Sequence, residues 1–353
     1  MDLNIIKLIF KFGKFLALTP SSIEPATLSC FEKCYIFLTF SIYTVGVIVT
    51  LISRKIFYDQ LTIIRLFLRL LLDIDLYFFN CYIALAPMLT KKRQWFKLFK
   101  YLPKIDASHL IFLVNVVFSF YVWLTKLNWN FFKLYLLEYF QMYSQFFYLV
   151  LGCIILQMLL SRYRHQTLLL RQQIQVGRIR LPSEFPRVLR KVQFNILMLK
   201  EVADIFCDIF GWVILFIIFF TTLKYLGYLD NVVKGENSHV PTDIGLRISI
   251  SISQNATLVL FSIGILSFVL LCDEILKEFE AILELSYKVN VSLTEGLTGR
   301  ESDEIQNFID VVSHNHPQFT AARFFNIDRT TIFSILNSLT TFLLIIIQFN
   351  LNI

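Results

Sequence analysis

Seven apolar segments, each close to the length that a helix needs to cross a membrane, constrain the fold of this chain most. A hydrocarbon core about 30 Å thick takes about 20 helical residues, and backbone groups inside it must find partners within the protein. The pattern predicts an all-α, polytopic membrane protein in which residues 1–353 form one seven-helix domain. The segments lie near 35–52, 66–89, 110–125, 134–160, 205–226, 248–272 and 330–349.

Composition supports the lipid bilayer as the main solvent of this protein. Hydrophobic residues make up 56% of the chain and charged residues only 17%, and the mean hydropathy is +0.63. A soluble chain of 353 residues could not hide so much apolar surface from water. The six cysteines form no CxxC pair, and we interpret them as small apolar residues, with no disulfide framework and no metal site.

Lysine and arginine are distributed unevenly between the two sides of the seven segments. With the N-terminus in the cytoplasm, 24 of them fall on the inner side and 8 on the outer side. The positive-inside rule therefore predicts a cytoplasmic N-terminus, an extracellular C-terminus and a multi-pass protein of the plasma membrane. Because the basic residues follow the topology and no nucleic-acid-binding pattern occurs, we expect no nucleic acid partner.

The N-terminal stretch carries three lysines between apolar residues at helical spacing, Lys7, Lys11 and Lys14. This pattern fits a short amphipathic helix on the membrane surface, or equally a helix packed against the bundle.

Two long segments on the inner side have opposite charge. Segment 161–204 is rich in arginine, whereas segment 273–328 is rich in acidic residues and has an apolar helical face at Ile275, Phe279, Ile282 and Leu285. We expect both segments to extend the membrane helices as helices and to pack together as an intracellular anchor domain. Separate, solvated faces are the alternative.

The sequence contains no catalytic constellation. GxSxG, a glycine-rich phosphate loop and HExxH are all missing, and His314 and His316 have no matching metal ligands at suitable spacing. We therefore expect neither an enzyme nor a protein with a cofactor.

Polar residues inside the apolar segments are the best candidates for a ligand pocket. A charge in a bilayer costs about 3 kcal/mol on insertion scales, so it usually faces protein or water. Arg69 and Asp73 stand four residues apart and can pair locally. An outward-opening pocket is predicted from Asp73, Tyr121, Trp123, Glu138, Tyr139, Tyr143, Ser253 and Gln254. For each residue alone, an interfacial aromatic belt or an interhelical hydrogen bond is the alternative.

The last apolar segment carries a polar stripe at helical spacing, formed by Asn337, Thr340, Thr341, Leu344 and Gln348. Such a stripe can mediate helix association. In a symmetric oligomer it can also line a water-filled path, with Ile345 and Phe349 as apolar constrictions. Spacing alone does not choose between these two interpretations.

The end of the chain resembles the C-terminal signature of the insect gustatory receptors. That signature is Thr-Tyr, five hydrophobic residues and Gln-Phe, and here it reads Thr341, Phe342, the run 343–347, Gln348 and Phe349. Phe342 stands where the family usually has tyrosine. The preceding FFNIDRTT also resembles the family's approach to its last span.

The resemblance implies a ligand-gated, non-selective cation channel that responds to small-molecule tastants in sensory neurons. It implies four subunits, as a homomer or with other gustatory receptors, which meet through the intracellular anchor helices. The seventh helices would line the pore, with Gln348 and Phe349 as the gate. The ligand pocket would lie in the outer half of the membrane, among the second to sixth helices.

Three other classes of membrane protein fit less well. A receptor that signals through a G protein should end its third span with an acidic-Arg pair and carry Asn-Pro in the last, but the third span ends in WLTK and the seventh has no proline. A transporter often shows internal repeats or broken helices, and we find no repeat. A membrane enzyme would need a catalytic constellation.

Overall fold

Over the residues that the structure describes, the chain is almost entirely helical. The computed structural model describes residues 30–59, 61–86, 94–95, 98, 136–177, 185–234, 244–293 and 299–351. Over these residues the elements are α1 Cys30–Tyr58, α2 Ile63–Leu85, α3 Leu136–Gly177, α4 Phe185–Lys234, α5 Ile244–Leu293, α6 Gly299–His314, β1 Thr320–Ala321, β2 Phe325–Asn326 and α7 Arg329–Leu351.

The prediction of an all-helical membrane fold is confirmed, apart from the small antiparallel hairpin β1–β2, which the sequence pattern did not indicate. The predicted span 110–125 and the basic N-terminal segment lie outside the described residues.

Four helices within the described ranges are long and apolar enough to cross a membrane, and they lie in α1, α3, α4 and α5. In α7 the stretch Arg329–Ile345 is a shorter apolar helix. The helices α3, α4 and α5 have 42, 50 and 50 residues. At 1.5 Å per residue they are about 63 to 75 Å long, roughly twice the thickness of a hydrocarbon core. Each therefore continues well beyond any bilayer that it crosses.

Aromatic side chains and close helix contacts hold α3, α4 and α5 together. The rings of Phe206 and Phe210 on α4 stack at 4.8 Å, and Phe206 also lies 5.9 Å from Phe268 on α5. At Gly264 on α5 a Cβ atom would come within 2.5 Å of Leu149 on α3. The absence of a side chain there lets the two helices approach closely, as is common between membrane helices.

At one end of these long helices, the arginine-rich and acidic segments lie against each other. Arg164 on α3 contacts Glu278 on α5 at 3.3 Å, and Arg190 on α4 contacts Glu304 on α6 at 2.7 Å. Between them is an apolar core that includes Phe279 and Phe308, both fully buried. Exposed ion pairs contribute little to the free energy of folding, so the burial of apolar side chains stabilises this end. The ion pairs instead favour the packing of the arginine-rich segment against the acidic one. We call it the anchor end.

The hairpin β1–β2 docks on α4 next to a glycine. Its turn passes through Ala322 and Arg323, whose φ angles are 49° and 65°. At Gly211 on α4, an added Cβ atom would lie 2.8 Å from the Ala322 backbone nitrogen. Trp212, the next residue on α4, makes an edge contact with Phe324 of the hairpin at 5.9 Å. The missing side chain at Gly211 thus sets how closely the hairpin sits on α4.

The hairpin leads directly into α7, whose first turn is capped and tied to α5. The Asp328 carboxylate accepts hydrogen bonds from the backbone N–H of Thr330 at 2.8 Å and of Thr331 at 3.3 Å. These bonds satisfy N–H groups that have no partner within the helix. Arg329 then donates to Asp273 on α5 at 2.6 Å. The start of α7 is therefore fixed to both α4 and α5.

The substitution Gly211→Ala should destabilise the protein. The added methyl group meets backbone rather than a movable side chain, so we expect a cost of about 1–3 kcal/mol, typical of overpacking. Thermal unfolding of the purified chain in detergent measures it.

Gly227→Ala is the matched control on the same helix, because nothing lies within 4 Å of its added Cβ atom. Alanine has a higher helix propensity than glycine, so this control should unfold at the same temperature or higher. Equal unfolding temperatures for the two variants would contradict the tight contact at Gly211.

Candidate functional site

A cavity of about 340 Å³ opens between α2, α3, α4 and α5, at the end of the bundle opposite the anchor end. This volume is at the small end of the range for ligand pockets, about 300–1,000 Å³. Its polar lining consists of Arg65, Arg69, Glu138, Tyr139, Thr221, Lys224, Tyr228, Ser253, Gln254 and Thr257. Its apolar lining consists of Leu61, Leu68, Leu72, Met142, Phe220, Leu223, Gly227, Leu258 and Phe261.

Glu138 on α3 is the centre of a network of charges beside this cavity. Its carboxylate accepts a hydrogen bond from Arg54 on α1 at 2.8 Å and from Lys224 on α4 at 3.0 Å. Arg69 on α2 donates to both oxygens of the same carboxylate, at 3.1 Å to Oε1 and in a shorter contact to Oε2. One acidic side chain thus connects four helices.

Asp73 extends the network on α2. It lies 3.4 Å from Arg54 and 3.6 Å from Arg69, and it accepts a hydrogen bond from the Tyr58 hydroxyl. The pairing of Arg69 with Asp73 therefore exists, but the closer partner of Arg69 is Glu138.

A separate ion pair on the same side joins α2 to α4. Arg65 donates from Nε to Asp230 at 2.6 Å, and Asp230 is almost fully buried. Because both charges are matched, this pair adds no net charge to the cavity wall.

These contacts explain how a helix as charged as α2 can belong to an apolar bundle. It carries Arg65, Arg69, Asp73 and Asp75, and is not among the four helices that are apolar enough to cross a membrane by composition. An unpaired charge costs several kcal/mol in such surroundings, whereas a paired and hydrogen-bonded charge is tolerated. Arg65, Arg69 and Asp73 are matched by charged groups on other helices. Asp75 accepts a hydrogen bond from the Gln145 amide on α3 at 3.4 Å.

Four of the eight residues predicted for the pocket line the cavity: Glu138, Tyr139, Ser253 and Gln254. Asp73 and Tyr143 do not line the cavity. Asp73 contacts Arg69, which does, and Tyr143 packs against the apolar core. Tyr121 and Trp123 lie outside the described residues.

Two cations of the network, Arg54 and Lys224, were not predicted as site residues. They are among the eight basic residues assigned to the outer side, and in the structure they lie within α1 and α4 and bind Glu138. The position of Lys224 at the end of an otherwise apolar segment could have indicated that it has a charged partner in the bundle. Its partner, however, is 86 residues away in sequence, and no local pattern indicates it.

The predicted pore residues all belong to α7. Beyond its first turns, this helix has little contact with the other described residues of the chain. Thr331 is buried, and Ile332 and Ile335 pack against the core. Farther along, Thr341, Leu344, Ile345 and Gln348 are all exposed in the single chain. The Phe349 side chain lies outside the described residues, although its backbone is helical.

The hydroxyl groups along α7 have internal hydrogen-bond partners. Thr340 donates to the Leu336 carbonyl and Thr341 to the Asn337 carbonyl, both at 2.9 Å. Such bonds let a threonine face an apolar environment at low cost, while its oxygen can still accept a hydrogen bond. The polar stripe of α7 is therefore compatible with either lipid or water.

Comparison with known proteins points to one family. Residues 31–353 match the family described as 7tm chemosensory receptor. No curated protein matches the sequence.

Two solved structures of the insect olfactory receptor OR5 from Machilis hrabei are similar in fold. The complex with eugenol has a TM-score of 0.65 at 12% identity, over 98% of this chain and 99% of that chain. A second structure of the same receptor has a TM-score of 0.56 at 13% identity, with the same coverage of both chains.

Replacing Glu138 by glutamine should strongly destabilise the bundle. Asp73 alone would then face Arg54, Arg69 and Lys224, and breaking a buried ion pair by removing one partner costs about 3–5 kcal/mol. The free energy of unfolding in detergent measures the effect, with Glu284→Gln as control, because Glu284 forms an exposed pair with Lys288.

The double variant Glu138→Gln, Lys224→Met should recover part of the loss, since it restores the net charge of the network. Additive effects of the two substitutions would contradict the coupling.

Proposed function

Because the chain belongs to the 7tm chemosensory receptor family, we propose that it is a gustatory receptor that works as a ligand-gated, non-selective cation channel. Four subunits, of this chain alone or with related receptors, surround a central pore in the plasma membrane of a sensory neuron. The signature at Thr341, Phe342, 343–347, Gln348 and Phe349 favours taste over smell, because it resembles that of the gustatory receptors. Because the signature lies in α7, we assign α7 as the helix that lines the pore.

The observation that carries this proposal is the exposure of α7. Phe333 is 71% exposed and Leu344 is 55% exposed in the single chain, although both belong to an apolar helix of 23 residues. A helix of this length rises about 34 Å, enough to cross a hydrocarbon core. Lipid or neighbouring subunits must cover these apolar faces. In a tetramer the stripe with Thr341 and Gln348 then faces the axis.

The pore chemistry follows from the residue types of the stripe. Threonine and glutamine offer oxygen atoms to a partly hydrated cation, and Ile345 provides a constriction that closes when water leaves it. Within α7 no acidic residue follows Arg329. A ring of carboxylates is therefore missing from this helix, and we expect weak discrimination among cations.

The cavity beside Glu138 is the proposed ligand site. It combines apolar walls with a few placed polar groups, as small-molecule sites do. A solved receptor of similar fold was captured with eugenol, so this fold can hold a small organic molecule.

The helices that form the cavity also hold the start of α7. Phe220 and Lys224 on α4 line the cavity, and Gly211, farther along the same helix, supports the hairpin. Ser253 on α5 lines the cavity, and Asp273 on α5 binds Arg329. A ligand that shifts α4 or α5 can therefore move the base of α7, because packed helices transmit small displacements.

Gln348→Ala should change the conductance or the open probability of the channel, since it removes the amide from the proposed gate. Currents from the purified chain in liposomes, with a panel of tastants, measure this effect.

Gln306→Ala is the control, because Gln306 is an exposed glutamine on α6, outside the proposed pore. A wild-type current that no substitution in α7 alters would overturn the assignment of the pore.

The two ends of the chain should lie on opposite sides of the membrane. An epitope tag at the C-terminus should be stained in intact cells, and a tag at the N-terminus only after permeabilisation, because the positive-inside rule places the side with more lysine and arginine, which includes the anchor end, in the cytoplasm. A C-terminal tag that stains only in permeabilised cells would contradict this orientation and, with it, the proposed outer gate.

A further inference from the structure

We propose that Asp75 on α2 and Gln145 on α3 form a proton-binding site next to the cavity. One bound proton turns Asp75 into a neutral carboxylic acid, which pairs with the Gln145 amide and joins the two helices. The inference does not depend on the proposed channel function, because it concerns the protonation of one side chain in the folded chain.

The site lies one helical turn from the cavity, on the side of the anchor end. Leu72 on α2 and Met142 on α3 line the cavity. Asp75 follows Leu72, and Gln145 follows Met142, by one turn on the same face of each helix. The Gln145 Nε2 atom donates a hydrogen bond to Asp75 Oδ2 at 3.4 Å. The pair therefore links α2 to α3 directly behind the cavity lining.

Within the described part of the chain, Asp75 is a buried carboxyl group without a cationic partner. Asp75 is 2% exposed and Gln145 is 0% exposed. Among the described residues, the Gln145 amide is the polar group that contacts the Asp75 carboxyl group. The apolar segment 110–125, which lies outside those residues, contains no lysine or arginine. An isolated carboxylate in apolar surroundings is strongly destabilised, so such a group takes up a proton instead.

Two oxygen atoms of the pair have no hydrogen-bond partner among the described residues, Asp75 Oδ1 and Gln145 Oε1. With an ionised Asp75 both atoms are acceptors, so no hydrogen bond between them is possible, and an unpaired buried acceptor costs free energy. A proton on Oδ1 changes this, because the acid O–H group can donate to Oε1 while the amide N–H group still donates to Oδ2. A proton taken up from solvent thus satisfies both oxygen atoms in one ring of two hydrogen bonds.

The surroundings of the pair favour a proton over a metal ion. Hard cations such as Ca²⁺ and Mg²⁺ take about six or more oxygen ligands, whereas this pair offers two oxygen atoms without partners. The buried face of α2 continues with Leu76 and Phe79, which have no ligand atoms. Over the described ranges, no cluster of metal-binding side chains occurs.

The charged groups of the helices packed against α2 belong to the network around Glu138. They are Arg54 on α1, Glu138 on α3 and Lys224 on α4, with Arg69 and Asp73 on α2 itself. Glu138 and Gln145 are two turns apart on α3, about 10 Å along the helix axis. Tyrosine and cysteine side chains on neighbouring stretches are uncharged at neutral pH, namely Tyr43, Cys81, Tyr82 and Tyr148. All these groups are common to the wild type and an Asp75 variant, so comparing the two isolates Asp75.

Infrared difference spectroscopy of the purified full-length chain tests the protonation state directly. Subtracting the spectrum of Asp75→Asn from that of the wild type at neutral pH should leave the C=O stretching band of a carboxylic acid and no carboxylate band. Asparagine can form the same ring with Gln145, because its amide both donates and accepts. The variant should therefore keep the unfolding temperature of the wild type.

Asp310→Asn is the matched control. Asp310 is an exposed aspartate that also accepts a hydrogen bond from a glutamine, Gln306, at 3.0 Å. Subtracting the spectrum of this variant from that of the wild type should leave a carboxylate band.

The second measurement is the pH dependence of unfolding in detergent. An unfolded aspartate releases its proton above about pH 4, whereas the folded chain keeps the proton on Asp75 at neutral pH. The folded state then binds one proton more than the unfolded state, so stability falls as the pH rises, until native Asp75 also releases its proton. Around neutral pH, the unfolding equilibrium constant of the wild type should rise about tenfold more per pH unit than that of Asp75→Asn. Asp310→Asn should follow the wild type.

A carboxylate band in the difference spectrum of the wild type and Asp75→Asn would overturn the inference. Equal pH dependence of unfolding in these two proteins would do the same. An Asp75→Asn chain that does not fold at neutral pH also contradicts it, because an amide reproduces the neutral pair. Stability that rises with Na⁺, Ca²⁺ or Mg²⁺ in the wild type but not in Asp75→Asn would replace the proton by a metal ion. Since no measurement here requires a current, failure of the channel proposal would leave these results unchanged.

Discussion

The carboxylate of Glu138 is the contact on which the cavity end of this bundle depends. It receives hydrogen bonds from Arg54 on α1, Arg69 on α2 and Lys224 on α4. Without it three cations would have only Asp73 as a charged partner in the network, in apolar surroundings where charged groups are stable only with partners. The network therefore fixes the relative position of four helices by electrostatics. Apolar packing alone does this poorly in a membrane, because lipid competes for the same contacts.

The two ends of the molecule are stabilised by different physics. At the anchor end, water is available to compete for charges, and buried side chains such as Phe279 and Phe308 supply the stabilisation. At the cavity end, the polar groups are enclosed and their pairing decides the geometry. The long helices α3, α4 and α5 connect the two ends without interruption. Each of these helices therefore contributes side chains both to the cavity and to the anchor end.

The charge network joins the wall of the cavity to the rest of the fold. Arg69 and Lys224 line the cavity and bind Glu138, and α4, which carries Lys224, also supports the hairpin that leads into α7. The base of α7 is attached through the hairpin on Gly211, the pair Arg329–Asp273 and the packing of Ile332 and Ile335 against the core. The exposed remainder of α7 can move with little loss of packing inside the subunit. In the channel that we propose, movement of this part of α7 is the gating step.

The sequence by itself determined the class of the molecule. Long apolar segments admit only helices in a membrane, and the terminal signature indicated a chemoreceptor family, which the match over residues 31–353 confirms. It also indicated Glu138, Tyr139, Ser253 and Gln254 as pocket residues, because polar side chains inside apolar segments usually face protein or water rather than lipid. Tertiary structure alone decided that Arg54 and Lys224 converge on Glu138 and that Tyr143 turns to the core. Helical periodicity relates residues three or four positions apart, whereas these contacts join residues 84 and 86 positions apart. Only the packing of the helices brings such residues together.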